Sequence, residues 1–185
     1  VLKDDGNVWS FGYNKYGQLG EGTNIDKITP VQVMGLSNII SITCGDYHNL
    51  AIDSEGIAWA SLNISRLFKL NGVYDKALSY LEKAEEIYRQ IAEDEGLNTG
   101  VTLCLKEYGL IYSQSGKLEE ALDYTKKVLQ RNREADNQFG IANSYLSLGE
   151  IYLQKNQFEK SLEYLEKSLS LKEKLEDPRD VPFIL

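Results

Sequence analysis

Histidine occurs once in these 185 residues, methionine once, cysteine and tryptophan twice each, and proline three times. A single histidine excludes the multi-histidine ligand sets of catalytic zinc centres. His48 with Cys44 supplies two of the four ligands that zinc usually takes, so no metal and no cofactor is expected. Cys44 and Cys104 lie 60 positions apart in unlike sequence contexts. That excludes a disulfide framework and fits a reducing compartment. No apolar run approaches the roughly 20 residues that span a bilayer, and no secretory signal opens the chain. The expected location is the cytoplasm, without a membrane partner. Basic residues number 20 against 28 acidic ones, for a net charge of -8 that divides evenly between the first 60 residues and the rest. A nucleic-acid surface would need a clustered basic face, and none is present.

What the chain does have is two kinds of internal repeat. Val1-Leu2-Lys3-Asp4-Asp5-Gly6-Asn7-Val8-Trp9-Ser10 aligns with Ala51-Ile52-Asp53-Ser54-Glu55-Gly56-Ile57-Ala58-Trp59-Ala60 at a constant offset of fifty. Self-similarity at such a period marks propellers or solenoids. The second copy is expected to start as a strand and to stop in mid-strand, where Ser61-Leu62-Asn63-Ile64 turns helical. Eight of the 15 glycines fall in the first 60 residues, as many turns and short strands require. Four strands are expected there, at 7–11, 30–34, 39–43 and 48–52, the first announced by the Asp5-Gly6 turn.

The residues Asp5-Gly6-Asn7-Val8-Trp9, Gly12-Tyr13-Asn14, Gly17-Gln18-Leu19-Gly20-Glu21-Gly22, Pro30-Val31-Gln32-Val33 and Cys44-Gly45-Asp46-Tyr47-His48 resemble the regulator-of-chromosome-condensation repeat. The resemblance implies one β-propeller blade over residues 1–59. It also implies relatives that act as exchange factors for small GTPases or as chromatin binders. One blade cannot close a propeller, so its edges stay open and it is expected to be the weaker part of the molecule. Gly17-x-x-Gly20-x-Gly22 is not a phosphate cradle, because neither a helix nor Gly-Lys-Ser/Thr follows. Asp4 and Asp5 are turn formers beside Gly6, and His48 is a packed blade residue.

From residue 60 onward the apolar spacing takes the helical period, and the composition is rich in Leu, Glu, Lys, Ala and Tyr. Three turns superpose: Gly72-Val73-Tyr74-Asp75, Gly116-Lys117-Leu118-Glu119 and Asn156-Gln157-Phe158-Glu159. An aromatic stands four residues before each (Phe68, Tyr112, Tyr152), and a small residue three further back (Ser65, Gly109, Gly149). Small residues at Gly109 and Ala121 let paired helices approach closely. Helices are expected at 60–71, 75–94, 98–115, 118–134, 138–155 and 158–175. Most of the nine tyrosines in this part sit at packing spacings and are expected to fill the core.

These registers, with Leu148-Gly149-Glu150-Ile151-Tyr152, resemble the tetratricopeptide repeat, with the longer spacing of kinesin-light-chain-type arrays. The implied fold class is a two-part α+β chain, mainly α. An α-solenoid of helix hairpins occupies 60–185 (repeats at about 60–95, 98–135 and 138–175, and the start of a fourth at 178–185), preceded by the all-β blade fragment. The resemblance implies a concave groove lined by the first helix of each repeat. Its candidate residues are Arg66, Lys69, Lys106, Leu110, Gln114, Asn143, Leu146 and Glu150, flanked by Leu62, Ser113 and Leu153. No nucleophile-base pair, metal cluster or phosphate loop is present, so no enzyme activity, catalytic residue or small-molecule substrate is expected. The implied function is a scaffold that binds a protein or peptide partner. The alternatives are a fragment of a propeller-type regulator and a regulatory segment of a larger signalling enzyme.

Overall fold

In the computed structural model the described residues are 1–44, 49–95 and 99–176, the side chains of 92–95 and 176 excepted. His48 and the expected start of a fourth repeat at 178–185 lie outside them. The chain divides into two compact units, Val1–Ala60 and Ser61–Leu185.

The first unit holds β1 (Trp9–Gly12), β2 (Lys27–Gln32), β3 (Ile39–Cys44) and β4 (Asn49–Asp53). Antiparallel pairs join β1 to β2 and β3 to β4 as separate two-stranded sheets. The Asp4-Asp5-Gly6 turn forms as its chemistry demands: Gly6 takes φ +76°, its N–H donates to Lys3 O at 3.0 Å, and Leu2 bridges Val8. Pro30 lies inside β2, a position open to proline on a strand with a free edge. The long connection from β1 to β2 is organised by Asn14, which is fully buried. Its side-chain amide donates to Thr23 O at 2.8 Å and to Glu21 Oε1 at 3.0 Å, while its Oδ1 accepts from Leu19 N at 2.9 Å. Gly17, Gly20 and Gly22 all take positive φ here. They are turn glycines, not a phosphate loop.

The second copy of the ten-residue repeat does not fold like the first. Helix α1 (Ser54–Leu70) begins at Ser54, not at residue 60, so Ile57-Ala58-Trp59-Ala60 is helical and not a strand. The cause is local. Asp53 caps the helix, its Oδ1 accepting from Gly56 N at 2.8 Å; Glu55 complements the first turn, and Ala58 is fully buried. Gly6 meets the backbone of Asn38 too closely for a side chain, whereas Gly56 has no positive φ. One glycine serves a turn and its counterpart a helix.

The second unit continues with α2 (Tyr74–Glu95), α3 (Thr99–Gln114), α4 (Leu118–Glu134), α5 (Gln138–Gln154) and α6 (Phe158–Glu176). Their ends repeat one device. At Gly72, Gly116 and Asn156 the backbone is left-handed (φ 71°, 79° and 56°), and the next residue's N–H donates back to Phe68, Tyr112 or Tyr152 O, each at 2.9 Å. This is the six-to-one bond of the Schellman motif, which stops the helix and reverses the chain. The same aromatics then stack on the following helix: Phe68 on Tyr80, Tyr112 on Tyr124 and Tyr152 on Tyr164, with centroids 5.6, 5.5 and 5.5 Å apart.

Small residues set the helix spacing. Ser65 Oγ donates to Ala77 O at 2.7 Å, and Ser161 Oγ to Gly149 O at 2.8 Å. A side-chain carbon on Gly109 would lie 3.1 Å from Thr125 Oγ1 and 3.7 Å from Ala121 O. Successive hairpins meet as tightly: a β-carbon on Gly100 would fall 2.2 Å from the Tyr88 ring, and one on Gly140 2.3 Å from Asn132 Oδ1. Ala121 is fully buried in the core with Leu122, Leu129, Leu148 and Ile151. Ala121→Leu is therefore expected to overpack this crossing and cost about 1–3 kcal/mol. Thermal denaturation followed by circular dichroism checks it, and an unchanged midpoint would contradict the register.

Candidate functional site

The α3 residues Thr102, Lys106, Leu110 and Ser113 recur at three- and four-residue steps and share one face. On α5 the same holds for Asn143, Ser147 and Glu150. Together with Thr125, Val128 and Asn132 of α4, they line a cavity of about 380 Å³. Lys106, Leu110, Asn143 and Glu150, all expected in the groove, meet here, as does the flanking Ser113. The others fall elsewhere. Arg66, Lys69, Gln114 and Leu146 are not among the lining residues, and Leu62 is fully buried.

Arg66 and Lys69 take part in an ion-paired cluster. Glu107, the residue after Lys106 and on the buried side of α3, accepts from Arg66 Nε at 2.8 Å and from Lys69 Nζ at 2.7 Å. Burial pushes its carboxyl up, but the hydrogen bonds and charges of Lys69 and Arg66 outweigh that, so its pKa lies below the ordinary value. The two cations thus tie α1 to α3 and are engaged within the fold. Glu107 was missed because a glutamate in an exposed-looking helical pattern gives no sign of its burial. The nearest signal was Arg66 and Lys69 at i and i+3, one charged face wanting a counterion.

The α4 floor was missed for another reason: only the first helix of each repeat was expected to line the groove. The chain bends sharply after α4, where Asp136 takes φ 48° and Asn137 N donates to Asn132 O at 2.8 Å. Asn137 then caps α5, its Oδ1 accepting from Gly140 N at 2.9 Å. Asn132, nearly buried, donates to Ser144 Oγ at 3.2 Å. Arg131 Nε donates to Thr102 Oγ1 at 2.9 Å, bracing the far wall. The result is a cavity whose charged groups are Lys106, Arg131 and Glu150, with hydroxyls, amides and a few aliphatic side chains between them.

This arrangement offers hydrogen bonds and apolar contact. Burial pushes the Cys104 thiol up to about 12, so it stays protonated and unreactive at neutral pH. Both cysteines are free. Among the described residues no three of His, Cys, Asp and Glu converge as a metal-ligand set, and no helix is long and apolar enough to cross a membrane.

Comparison with known proteins agrees with both halves. Residues 5–52 match the regulator of chromosome condensation repeat, and residues 101–174 match the tetratricopeptide repeat. Over 62 residues the chain is 36% identical to the ultraviolet-B receptor UVR8 of Arabidopsis thaliana; the match covers 32% of this chain but only 14% of the receptor. The chain spans equally small shares of other curated relatives it matches. The helical unit is similar in fold to the tetratricopeptide domain of Arabidopsis FLU (TM-score 0.57, 19% identity, 65% of this chain and 98% of that one). It is similar as well to a putative kinesin light chain of Podosopora anserina with nearly identical repeats (TM-score 0.55, 18% identity, 68% of this chain and 61% of that one). At these identities the structural likeness speaks for the fold alone. Repeats of both families generally serve as binding scaffolds. The chain carries one regulator of chromosome condensation repeat followed by tetratricopeptide repeats.

Proposed function

We propose that this protein is a non-enzymatic scaffold that holds a partner peptide in the cavity between α3, α4 and α5. The observation that carries the reading is the lining itself. Thr102, Ser113, Asn143 and Ser147 offer uncharged donors and acceptors suited to an extended main chain, and Leu110 and Val128 offer apolar contact. Lys106 and Glu150 bear opposite charges within one cavity. They favour a peptide acidic towards Lys106 and basic towards Glu150, which sets its direction. Arg66, Lys69, Gln114 and Leu146 are not part of this site. A reducing, cytoplasmic setting suits a scaffold with two free cysteines.

The test is to enrich peptides from a random library on the full chain and to measure their affinities by fluorescence anisotropy. Lys106→Glu is expected to weaken binding by about 1–2 kcal/mol, more at low salt than at high. Affinity indifferent to Lys106, Leu110 and Asn143 replaced together would place the site elsewhere. The regulator of chromosome condensation repeat at residues 5–52 favours a second reading, in which the chain is a piece of a larger propeller-type regulator. A partner retained by residues 1–59 alone would support that reading.

A further inference from the structure

Away from the cavity, Lys126 and Arg133 of α4 and Lys167 of α6 surround a cleft whose walls are Tyr145 of α5 and Tyr164 of α6. Leu129 and Leu148 form its floor, and among the described residues no acidic side chain lines it. In a chain of net charge -8 this is a local reversal of sign. Of the three cations only Lys167 is ion-paired among the described residues. Arg133 Nη2 donates to Tyr145 Oη at 3.0 Å and its guanidinium lies 6.0 Å from the ring centroid, leaving other donors of the fork for a ligand. Lys126 has no ion pair among the described residues. Lys167 pairs with Glu163 on its own helix at 2.5 Å, with both side chains about half exposed. Such a surface pair holds little free energy and exchanges partners readily. The Tyr145 and Tyr164 rings, 6.0 Å apart and tilted at 37°, are part-exposed between these charges, with Tyr164 stacked on Tyr152 and its centroid 5.2 Å from Lys167 Nζ.

We propose that this cleft is a second docking surface, which takes a short acidic protein segment carrying an apolar residue beside its carboxylates. The carboxylates meet Lys126, Arg133 and Lys167, and the apolar side chain lies against Tyr145 and Tyr164. Charge complementarity selects the occupant: three cations around one cleft match two or three carboxylates. An extended polyanion would need a longer basic track, and the acidic remainder of the chain would repel it. The cations stand on α4 and α6, the second helices of their hairpins, with Tyr145 and Leu148 of α5 between them. The cleft shares no lining residue with the cavity between α3, α4 and α5, so one scaffold would carry two ligands at once.

The test uses the full chain and a fluorescent synthetic peptide of alternating glutamate and leucine, with a glutamate-serine peptide as control. Reversing Lys126 and Arg133 to glutamate is expected to weaken the glutamate-leucine peptide about tenfold or more, with the loss shrinking as salt is raised. Lys106→Glu is expected to leave this affinity unchanged, which separates the cleft from the cavity. Arg133→Lys, with its charge kept, should retain most of the binding and guards against a mere folding defect, as does an unchanged helical melt. The glutamate-serine peptide should bind several-fold more weakly. The proposal is overturned if the double reversal has no effect, or if Lys106→Glu abolishes binding. Equal affinity for the two peptides would overturn it too, as would preference for duplex DNA or phosphatidylserine vesicles over the peptide.

Discussion

Truncating Leu62 to alanine is expected to destabilise the helical unit by about 2–5 kcal/mol, the usual cost of emptying a filled leucine site. The periodicity of α1 places Leu62 one turn before Arg66, as though it faced a ligand, yet its side chain is fully buried. A buried leucine and a groove leucine make opposite predictions. Removing the first opens a cavity and lowers the unfolding midpoint while leaving peptide affinity in the native state unchanged. Removing the second would spare the fold and weaken the ligand. Urea denaturation together with anisotropy at low denaturant separates the two outcomes. Loss of affinity without loss of stability would return Leu62 to the groove.

Glu107→Gln is expected to cost about 3 kcal/mol, at the low end of what breaking a buried ion pair costs, because Arg66 keeps about a third of its side chain in water. The substitution leaves Lys69, only 10% exposed, without a counterion. A pH dependence accompanies this. The carboxyl's pKa in the folded state lies below its ordinary 4.5, so its contribution is fully present above about that pH. It is lost as the pH falls through the lowered folded value. Stability measured by urea unfolding should therefore fall on acidification less in Glu107→Gln than in the unaltered chain. Parallel pH profiles for the two chains would show that Glu107 is not held by Lys69 and Arg66.

The helices were legible because each is written twice over. The 3.6-residue spacing marks their length, and the turn residues Gly72, Gly116 and Asn156 mark their ends, where positive φ is needed. Five of the six expected helices begin within about a residue of where they fold, by that logic. The start of α1 was not legible. Residues 51–60 carry the pattern of the hairpin at 1–10, and only the cap at Asp53 and the burial of Ala58 decide for helix. The four expected strands formed, but as two separate pairs, since pairing partners depend on long-range register that local pattern does not encode. The α3 and α5 walls of the cavity were readable as stripes of residues on one helix face. Its floor from α4 was not, because Asn132 and Thr125 look like ordinary helix-surface polar residues until Gly140 of α5 and Gly109 of α3 bring the neighbouring helices against them.

The groove reading is tested most directly by hydrogen–deuterium exchange on the full chain, with and without a library-selected peptide. The account predicts new protection concentrated in α3 and α5, with the Lys106–Leu110 and Asn143–Glu150 segments slowed most and β1 to β4 unchanged. Protection confined to residues 1–44, or absent from both α3 and α5 while the peptide is bound, would contradict it.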